Sequence, residues 1–191
     1  MSVIMENNKK DVNYFHLQRT FVIKNAIKNG LDTSRLVNLI ICFDSPNDFR
    51  IEGFSFPPNL FYIHEISFNE AVGILIEKFN FNQKQAIFKV KEWKKEFGTN
   101  EIKRDKISEQ YEEIVQKTNE EIVENKGEAY KIGRSDIKII AGFLKEKINI
   151  VHVKDKGFEE TCKKLGINII ETPEKDLNKE IGLKKKLAKK L

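Results

Sequence analysis

The chain has 191 residues, 40% of them hydrophobic and 33% charged, so it is long enough to bury one core but too short for two full domains. No apolar run approaches the roughly 18–20 residues that span a bilayer, and the amino-terminal sequence lacks the basic-then-apolar order of a signal peptide. We therefore predict a single domain over residues 1–191, located in the cytoplasm and not attached to a membrane.

Charge and cysteine content narrow the choice of partners and sites. The chain carries 34 Lys and Arg against 29 Asp and Glu, a net charge of +5, which suits nucleic acid without requiring it. A basic tail over residues 176–191 adds to this surplus, and both packing and RNA contact stay open for it. Cys42 and Cys162 have no Cys or His nearby at ligand spacing, which favours buried thiols over a disulfide or a zinc site.

Short β-rich runs alternate with segments of helical periodicity. The runs cover residues 21–23, 60–63, 148–153 and 167–170. One helix is predicted from Ser67, with Ser67 and Glu70 as a capping box, a second from Ser135 and a third from Asp155 to Gly166. This alternation predicts an α/β fold, with a central, mostly parallel sheet and helices on both faces.

The middle of the chain, residues 83–126, is predicted to be an extended helical segment inserted in that fold, as two helices broken near Gly98. A stripe of apolar residues recurs there at helical spacing: Ile107, Tyr111, Ile114, Val115 and Ile122. Two interpretations stay open. The stripe packs on its own domain, or it belongs to a protruding helical pair that forms a homodimer or grips RNA.

Three acidic residues stand where a parallel sheet gathers its ligands. Asp155 follows a predicted strand, and Glu70 and Asp136 are predicted in the opening turns of helices, so all three converge on the carboxyl edge of the sheet. Clustered carboxylates repel one another unless a cation lies between them, and Mg²⁺ prefers such oxygen ligands. Taken singly, each acid is also explained by helix capping or by the helix dipole.

Two segments carry a resemblance to a known family. SDIKIIAGFLKEKINIVHVKDKGFEETCKKLGINII resembles the carboxy-terminal half of a PIN domain, with an acid opening a helix, a strand, an acid before Lys-Gly-Phe, and Leu-Gly-Ile entering the last strand. FYIHEISFNEAVGILIEKF resembles the family's strand, turn and glutamate-bearing helix. The resemblance implies a PIN-like fold and RNA cleavage with Mg²⁺ or Mn²⁺ held by about four acids. Many members are toxin ribonucleases with an antitoxin partner, and others process RNA.

In this resemblance Glu70, Asp136 and Asp155 match the second, third and fourth acidic positions, and two residues compete for the first. By strand propensity, the run at residues 21–23 places Lys24 there, which departs from the family pattern. By motif, Asp32 fits the Asp-Thr-Ser-then-helix pattern, although the residues before it make a poor strand and Asp32 is also a natural helix cap. A lysine at this position implies a weakened or metal-independent site.

The predicted function is therefore a metal-dependent endoribonuclease that cleaves RNA phosphodiesters at Asp32, Glu70, Asp136 and Asp155, which serve as metal ligands and catalytic residues. One alternative is a catalytically degenerate PIN module that binds RNA or a protein partner without cleavage, motivated by Lys24 and the basic tail. Another, within the nuclease class, is pre-tRNA end processing by a helix-extended relative. Weaker site candidates are His64, His152, Thr33, Ser34, Ser135, Arg134, Phe88, Trp93 and Phe97, for all of which packing, capping or solvated surface is the simpler explanation.

Overall fold

The structure, a computed structural model, describes residues 27–42 and 61–170. Within these ranges a five-stranded sheet has the order β3-β2-β1-β4-β5, and every neighbouring pair is parallel. The strands are β1 (Asn29–Leu31), β2 (Phe61–His64), β3 (Asn100–Ile102), β4 (Ile150–His152) and β5 (Asn168–Ile170). The three later β-rich runs of the sequence are confirmed as β2, β4 and β5, while the run at residues 21–23 lies outside the described residues.

Within residues 27–42 and 61–170, six helices connect and cover these strands. They are α1 (Thr33–Cys42), α2 (Glu65–Phe79), α3 (Gln83–Phe97), α4 (Lys106–Lys126), α5 (Arg134–Lys145) and α6 (Lys156–Lys164), with a 3₁₀ turn at Glu128–Tyr130. As predicted, the last helix is followed by Gly166, whose φ of 80° is a backbone conformation that L side chains rarely adopt. Across the described ranges, none of these helices is long and apolar enough to cross a membrane.

The chain reverses its direction across the sheet at the central strand. From β1 it proceeds outward to β2 and β3, then returns to the other side of β1 to lay down β4 and β5. In such open sheets ligands bind outside the carboxyl ends of the strands, at the point where the order reverses. A ligand site is therefore expected at the residues that follow β1 and β4.

Apolar side chains cover both faces of the sheet. On one face α1, α2 and α3 pack with Leu31, Phe61 and Ile63, and on the other α4, α5 and α6 pack with Ile102 and Val151. Alternate residues of β2 point to opposite faces, as the period of two in a strand requires. The predicted parallel α/β sheet with helices on both faces is confirmed.

Strand β1 was not expected from its composition. Its residues Asn29 and Gly30 have low strand propensity. The expectation that residues 26–30 make a poor strand is therefore wrong for the last two of them. Pairing with both β2 and β4 overrides that propensity. A β-carbon at Gly30 would lie 2.9 Å from the ring of Phe143, so the glycine is what allows α5 to pack closely over the central strand.

The middle segment is more than a helical insertion. Its two predicted helices are present as α3 and α4, but between them β3 pairs with β2, so describing residues 83–126 as purely helical is wrong. The predicted stripe on α4 also divides: Val115 and Ile122 are buried, whereas Ile107 and Ile114 are 56% and 48% exposed. Helix α4 packs along α5, as the simpler of the two interpretations expects.

A buried amide joins α4 to the segments that follow it. Asn119 Nδ2 donates to the Tyr130 carbonyl at 2.9 Å and to the Thr161 hydroxyl at 3.0 Å, and its Oδ1 accepts from Ile132 N–H at 3.2 Å. The contacts with the Thr161 hydroxyl and the Ile132 N–H are buried, where polar groups need a protein partner. The turn before α5 and the body of α6 are thereby fixed to the same side chain.

Close packing at this junction gives a stability prediction. A β-carbon at Gly157 in α6 would lie 2.5 Å from the Tyr130 carbonyl oxygen, so Gly157→Ala must push backbone apart and should lower the free energy of unfolding by about 1–3 kcal/mol. Gly73 in α2 has nothing within 4 Å of the same position, so Gly73→Ala should raise it by roughly 0.5–1 kcal/mol. Urea denaturation of both variants measures this. Equal shifts of the same sign would show that the close approach is unimportant.

Candidate active site

Asp32 follows the central strand and caps α1. Its Oδ1 accepts from the backbone N–H of Arg35 at 2.7 Å, and the Ser34 hydroxyl lies 3.0 Å from both carboxylate oxygens. The Asp32 N–H donates to the His152 carbonyl of β4 at 3.3 Å. The side chain, only 6% exposed, thus lies at the junction of β1 and β4 where the strand order reverses. Lys24, its competitor for this position, lies outside the described residues.

Glu70 lies one turn deeper in its helix than the sequence predicted. Helix α2 begins at Glu65, and its cap is His64, whose Nδ1 accepts from Ile66 N–H at 3.2 Å. The predicted capping box of Ser67 and Glu70 is therefore wrong, because both residues lie within the helix. Glu70 Oε2 instead accepts a 2.6 Å hydrogen bond from the Thr33 hydroxyl at the start of α1. Capping does not account for Glu70, and its contact is with the residue next to Asp32.

Asp136 and Asp155 occupy helix openings, as predicted. Asp136 lies in the first turn of α5 and its Oδ2 accepts from Gly133 N–H at 3.1 Å. Asp155 caps α6, with its Oδ1 accepting from Phe158 N–H at 2.8 Å. Both residues are thus fixed by backbone donors through one carboxylate oxygen. No hydrogen bond from the described residues reaches the second oxygen of either carboxylate.

The four acids line one open pocket of about 890 Å³. Its wall combines side chains from α1, α2, α5 and α6 with Ala129 of the 3₁₀ turn. Two lysines, Lys154 and Lys156, flank Asp155 in the wall, and Glu77 adds a fifth carboxylate further along α2. Neither the lysines nor Glu77 were among the predicted site residues. The lysines could have been found from their position on either side of a predicted site acid. Glu77 could have been found from its spacing of two helical turns from Glu70.

The acids are close enough to influence one another's charge. Burial raises the pKa of Asp32 to about 6, and the Asp136 carboxylate acts in the same direction against the hydrogen bonds from Arg35 and Ser34. Burial likewise raises the pKa of Asp136, with added repulsion from the charges of Glu70 and Asp155. Negative charge in this pocket is therefore costly for the protein alone, and a bound cation would relieve that cost.

The carboxylates of the pocket suit a hard divalent cation that keeps part of its water shell better than a cation surrounded entirely by protein ligands. Among residues 27–42 and 61–170, no three His, Cys, Asp or Glu side chains form a ready-made metal cage. Mg²⁺ needs no such cage, because it keeps several waters and is commonly held by one or two carboxylates together with substrate phosphates. Glu70, Asp136 and Asp155 each use one oxygen for a protein hydrogen bond, and no described donor contacts the other.

The weaker candidates of the sequence have structural surroundings. His64 caps α2, and His152 is buried in β4 with Nε2 3.4 Å from Asn29 Oδ1. Burial lowers the pKa of His152 to about 4, so the ring is neutral at physiological pH. Trp93 lies in the core, whereas Arg134 and Phe88 are exposed. The side chain of Phe97 is not among those described.

Comparison with known proteins bears on the fold. No family model matches the sequence, and no curated protein matches it. The chain is similar to a chain in the crystal structure of DNA-bound VapBC from Salmonella typhimurium, with a TM-score of 0.52 and 16% identity over 76% of this chain and 98% of that one. The chain has a PIN-like fold. The fold expected from the two resembling segments is thereby confirmed, and the identity of 16% leaves the activity to be argued from the pocket.

The raised pKa of Asp32 leads to a prediction about stability, to be measured with a chelator present so that no metal ion is bound. A carboxyl whose pKa rises from 3.8 to about 6 on folding contributes most below pH 3.8, and its contribution is lost as the pH rises through 6. Asp32→Asn keeps the acceptor for Arg35 N–H without the charge, so at pH 8 it should raise the free energy of unfolding by roughly 1–3 kcal/mol. Chemical denaturation at pH 8 and pH 4 measures the effect.

The gain from Asp32→Asn should disappear at pH 4, where the native carboxyl is itself protonated. The control Asp105→Asn lies outside the pocket, and hydrogen bonds from Ser108 and Lys145 hold the pKa of Asp105 at about 2. This exposed variant should destabilise at pH 8. A gain at both pH values for Asp32→Asn would contradict the assignment of the effect to its charge.

Proposed function

We propose that the protein is a divalent-metal-dependent endoribonuclease whose site is formed by Asp32, Glu70, Asp136 and Asp155. The observation that carries the proposal is the convergence of these four acids on one pocket at the carboxyl edge of a PIN-like sheet. Helix capping is a reason for Asp32, Asp136 and Asp155 singly, but nothing in the fold gives a reason for Glu70 to join them in one pocket at a cost in repulsion. A site built to hold a cation supplies that reason.

Each residue has a distinct task in this proposal. The carboxylates would hold Mg²⁺ or Mn²⁺, which when bound polarises a phosphodiester and lowers the pKa of a water molecule. Thr33 and Ser34 orient Glu70 and Asp32 through their hydroxyls, and backbone N–H groups orient the other two acids. Lys154 and Lys156 bring positive charge to the rim of the acidic pocket, where the phosphate of an RNA backbone would lie.

The competing interpretation, a degenerate module, was motivated by Lys24 at the first acidic position and by the basic tail. Asp32 follows the central strand and lines the same pocket as the other three acids, so a full set of four is at hand. We therefore favour cleavage over binding alone. Salt-sensitive RNA binding without cleavage in the presence of Mg²⁺ or Mn²⁺ would reinstate the degenerate module.

A protein partner forms part of the proposal. The solved chain that shares the fold comes from VapBC, a complex bound to DNA, and the family resemblance implies an antitoxin. We propose that this chain has such a partner. We also propose that its basic tail over 176–191 contacts an anionic partner. Particle mass in solution checks the homodimer that the sequence suggested.

The central prediction concerns the acids. Asp136→Asn and Asp155→Asn preserve shape and remove one charge each, so each should reduce RNA cleavage with Mn²⁺ by roughly 100-fold or more, as losses of groups that stabilise reacting charge do. Glu113→Gln on the exposed side of α4 is the matched control and should cleave like the wild type. Cleavage of a labelled RNA over time measures all three. Equal rates in the wild type and both Asn variants would refute the site.

A second prediction isolates the positioning of Glu70. Thr33→Val removes the hydroxyl that donates to Glu70 Oε2 and leaves every carboxylate in place, so cleavage should fall about 10–100-fold. Thr33→Ser keeps the hydroxyl and should restore most of the rate. The Mn²⁺ concentration for half-maximal activity should rise in the Val variant only. Similar metal requirements for Val and Ser would indicate that the hydrogen bond has no role in the site.

A further inference from the structure

The outward face of α3 has a composition that the fold does not explain. Ala86, Val90 and Trp93 turn inward and are buried, which places Phe88 on the opposite side of the helix. Phe88 is 66% exposed, more than any other large apolar side chain among the described residues. An aromatic ring held in water on the rigid surface of a helix gains nothing from the core.

Lysines surround this ring. Lys84, Lys91 and Lys95 lie at helical spacing from Phe88 on the same exposed side of α3. We call these four residues the α3 basic face. It spans about 16 Å along the helix axis at 1.5 Å per residue.

The charges of the α3 basic face are not balanced within the described chain. The two other lysines of the helix that flank this face have acidic partners, Lys89 with Glu92 at 3.6 Å and Lys94 with Glu101. None of Lys84, Lys91 and Lys95 forms an ion pair within the described residues. Lys91 and Lys95, four residues apart, repel each other, which works against the helix.

One class of ligand removes both costs. A polyanion neutralises the lysines, and unpaired bases stack on an exposed ring, so single-stranded RNA matches the face on both counts. A duplex offers the phosphates but keeps its bases stacked inside. An acidic protein surface offers the charge without a set of flat rings. We propose that the α3 basic face is a docking site for single-stranded RNA, separate from the acidic pocket; this rests on the proposed ribonuclease function for the choice of RNA.

Binding is measured apart from cleavage. The background is the full chain with Asp136→Asn, in chelator, and the probe is a fluorescein-labelled single-stranded RNA of about a dozen nucleotides, within the site sizes usual for such surfaces. Fluorescence anisotropy gives Kd across a series of salt concentrations. The substituted residues of the α3 basic face are all exposed, and thermal unfolding checks that each variant is folded.

Two patch variants are compared with one control. The triple variant Lys84→Gln, Lys91→Gln, Lys95→Gln should weaken binding at least 10-fold and reduce the slope of log K against log salt by about 2, since a single strand contributes about 0.7 per neutralised phosphate. Phe88→Ala should weaken binding about 5–100-fold with an unchanged slope, because stacking releases no counterions. The control Lys103→Gln, Lys106→Gln, Lys117→Gln removes the same charge at exposed positions outside α3 and should change Kd less than 3-fold.

The outcomes separate this inference from the proposed function. Equal losses in the patch triple and the control triple, or wild-type binding by Phe88→Ala, would overturn the docking site even if the wild type cleaves RNA. Patch-specific loss in a protein that never cleaves RNA would sustain the docking site and refute the nuclease. Equally tight binding of a duplex of the same length, insensitive to Phe88→Ala, would also overturn it and indicate charge attraction alone.

Discussion

The relative position of the acids depends on the buried amide of Asn119. It fixes the turn that leads into α5, and thus Asp136, to α6, whose amino end carries Asp155. Its contacts with the Thr161 hydroxyl and the Ile132 N–H are buried, and without the amide the Ile132 N–H would lose the hydrogen bond that it makes there. A side chain outside the pocket therefore links the segments that carry Asp136 and Asp155.

The pocket is arranged at the expense of the free protein. Asp32 is buried with a raised pKa, and the Asp136 charge contributes to that rise, yet the acids hold their positions through hydrogen bonds from hydroxyl and backbone donors. Such preorganisation concentrates negative potential where no core residue benefits from it. Functional sites commonly violate local preferences in this way, and the rest of the fold compensates.

Features that depend on neighbouring residues could be predicted from the sequence, whereas features that depend on contacts between distant segments could not. The helix openings at Asp136 and Asp155 could be predicted because helix caps depend on residues only a few positions apart. Strand β1 was not, since its strand character comes from pairing with β2 and β4 rather than from Asn29 and Gly30. Glu70 was assigned to a cap because His64 is an unusual capping residue. Its bond to Thr33 joins two helices that are distant in the chain.

The central position of β1 has a consequence for when the pocket forms during folding. Its partner β4 comes late in the described chain, and a parallel pair between such distant segments closes a long loop before any contact rewards it. Asp32 and Asp155 thus face a common pocket only after nearly the whole fold has been synthesised and assembled. A nascent or truncated chain that ends before β4 would contain Asp32, Glu70 and Asp136 but neither Asp155 nor the strand that pairs with β1, so the complete pocket forms only after β4 and α6 are present.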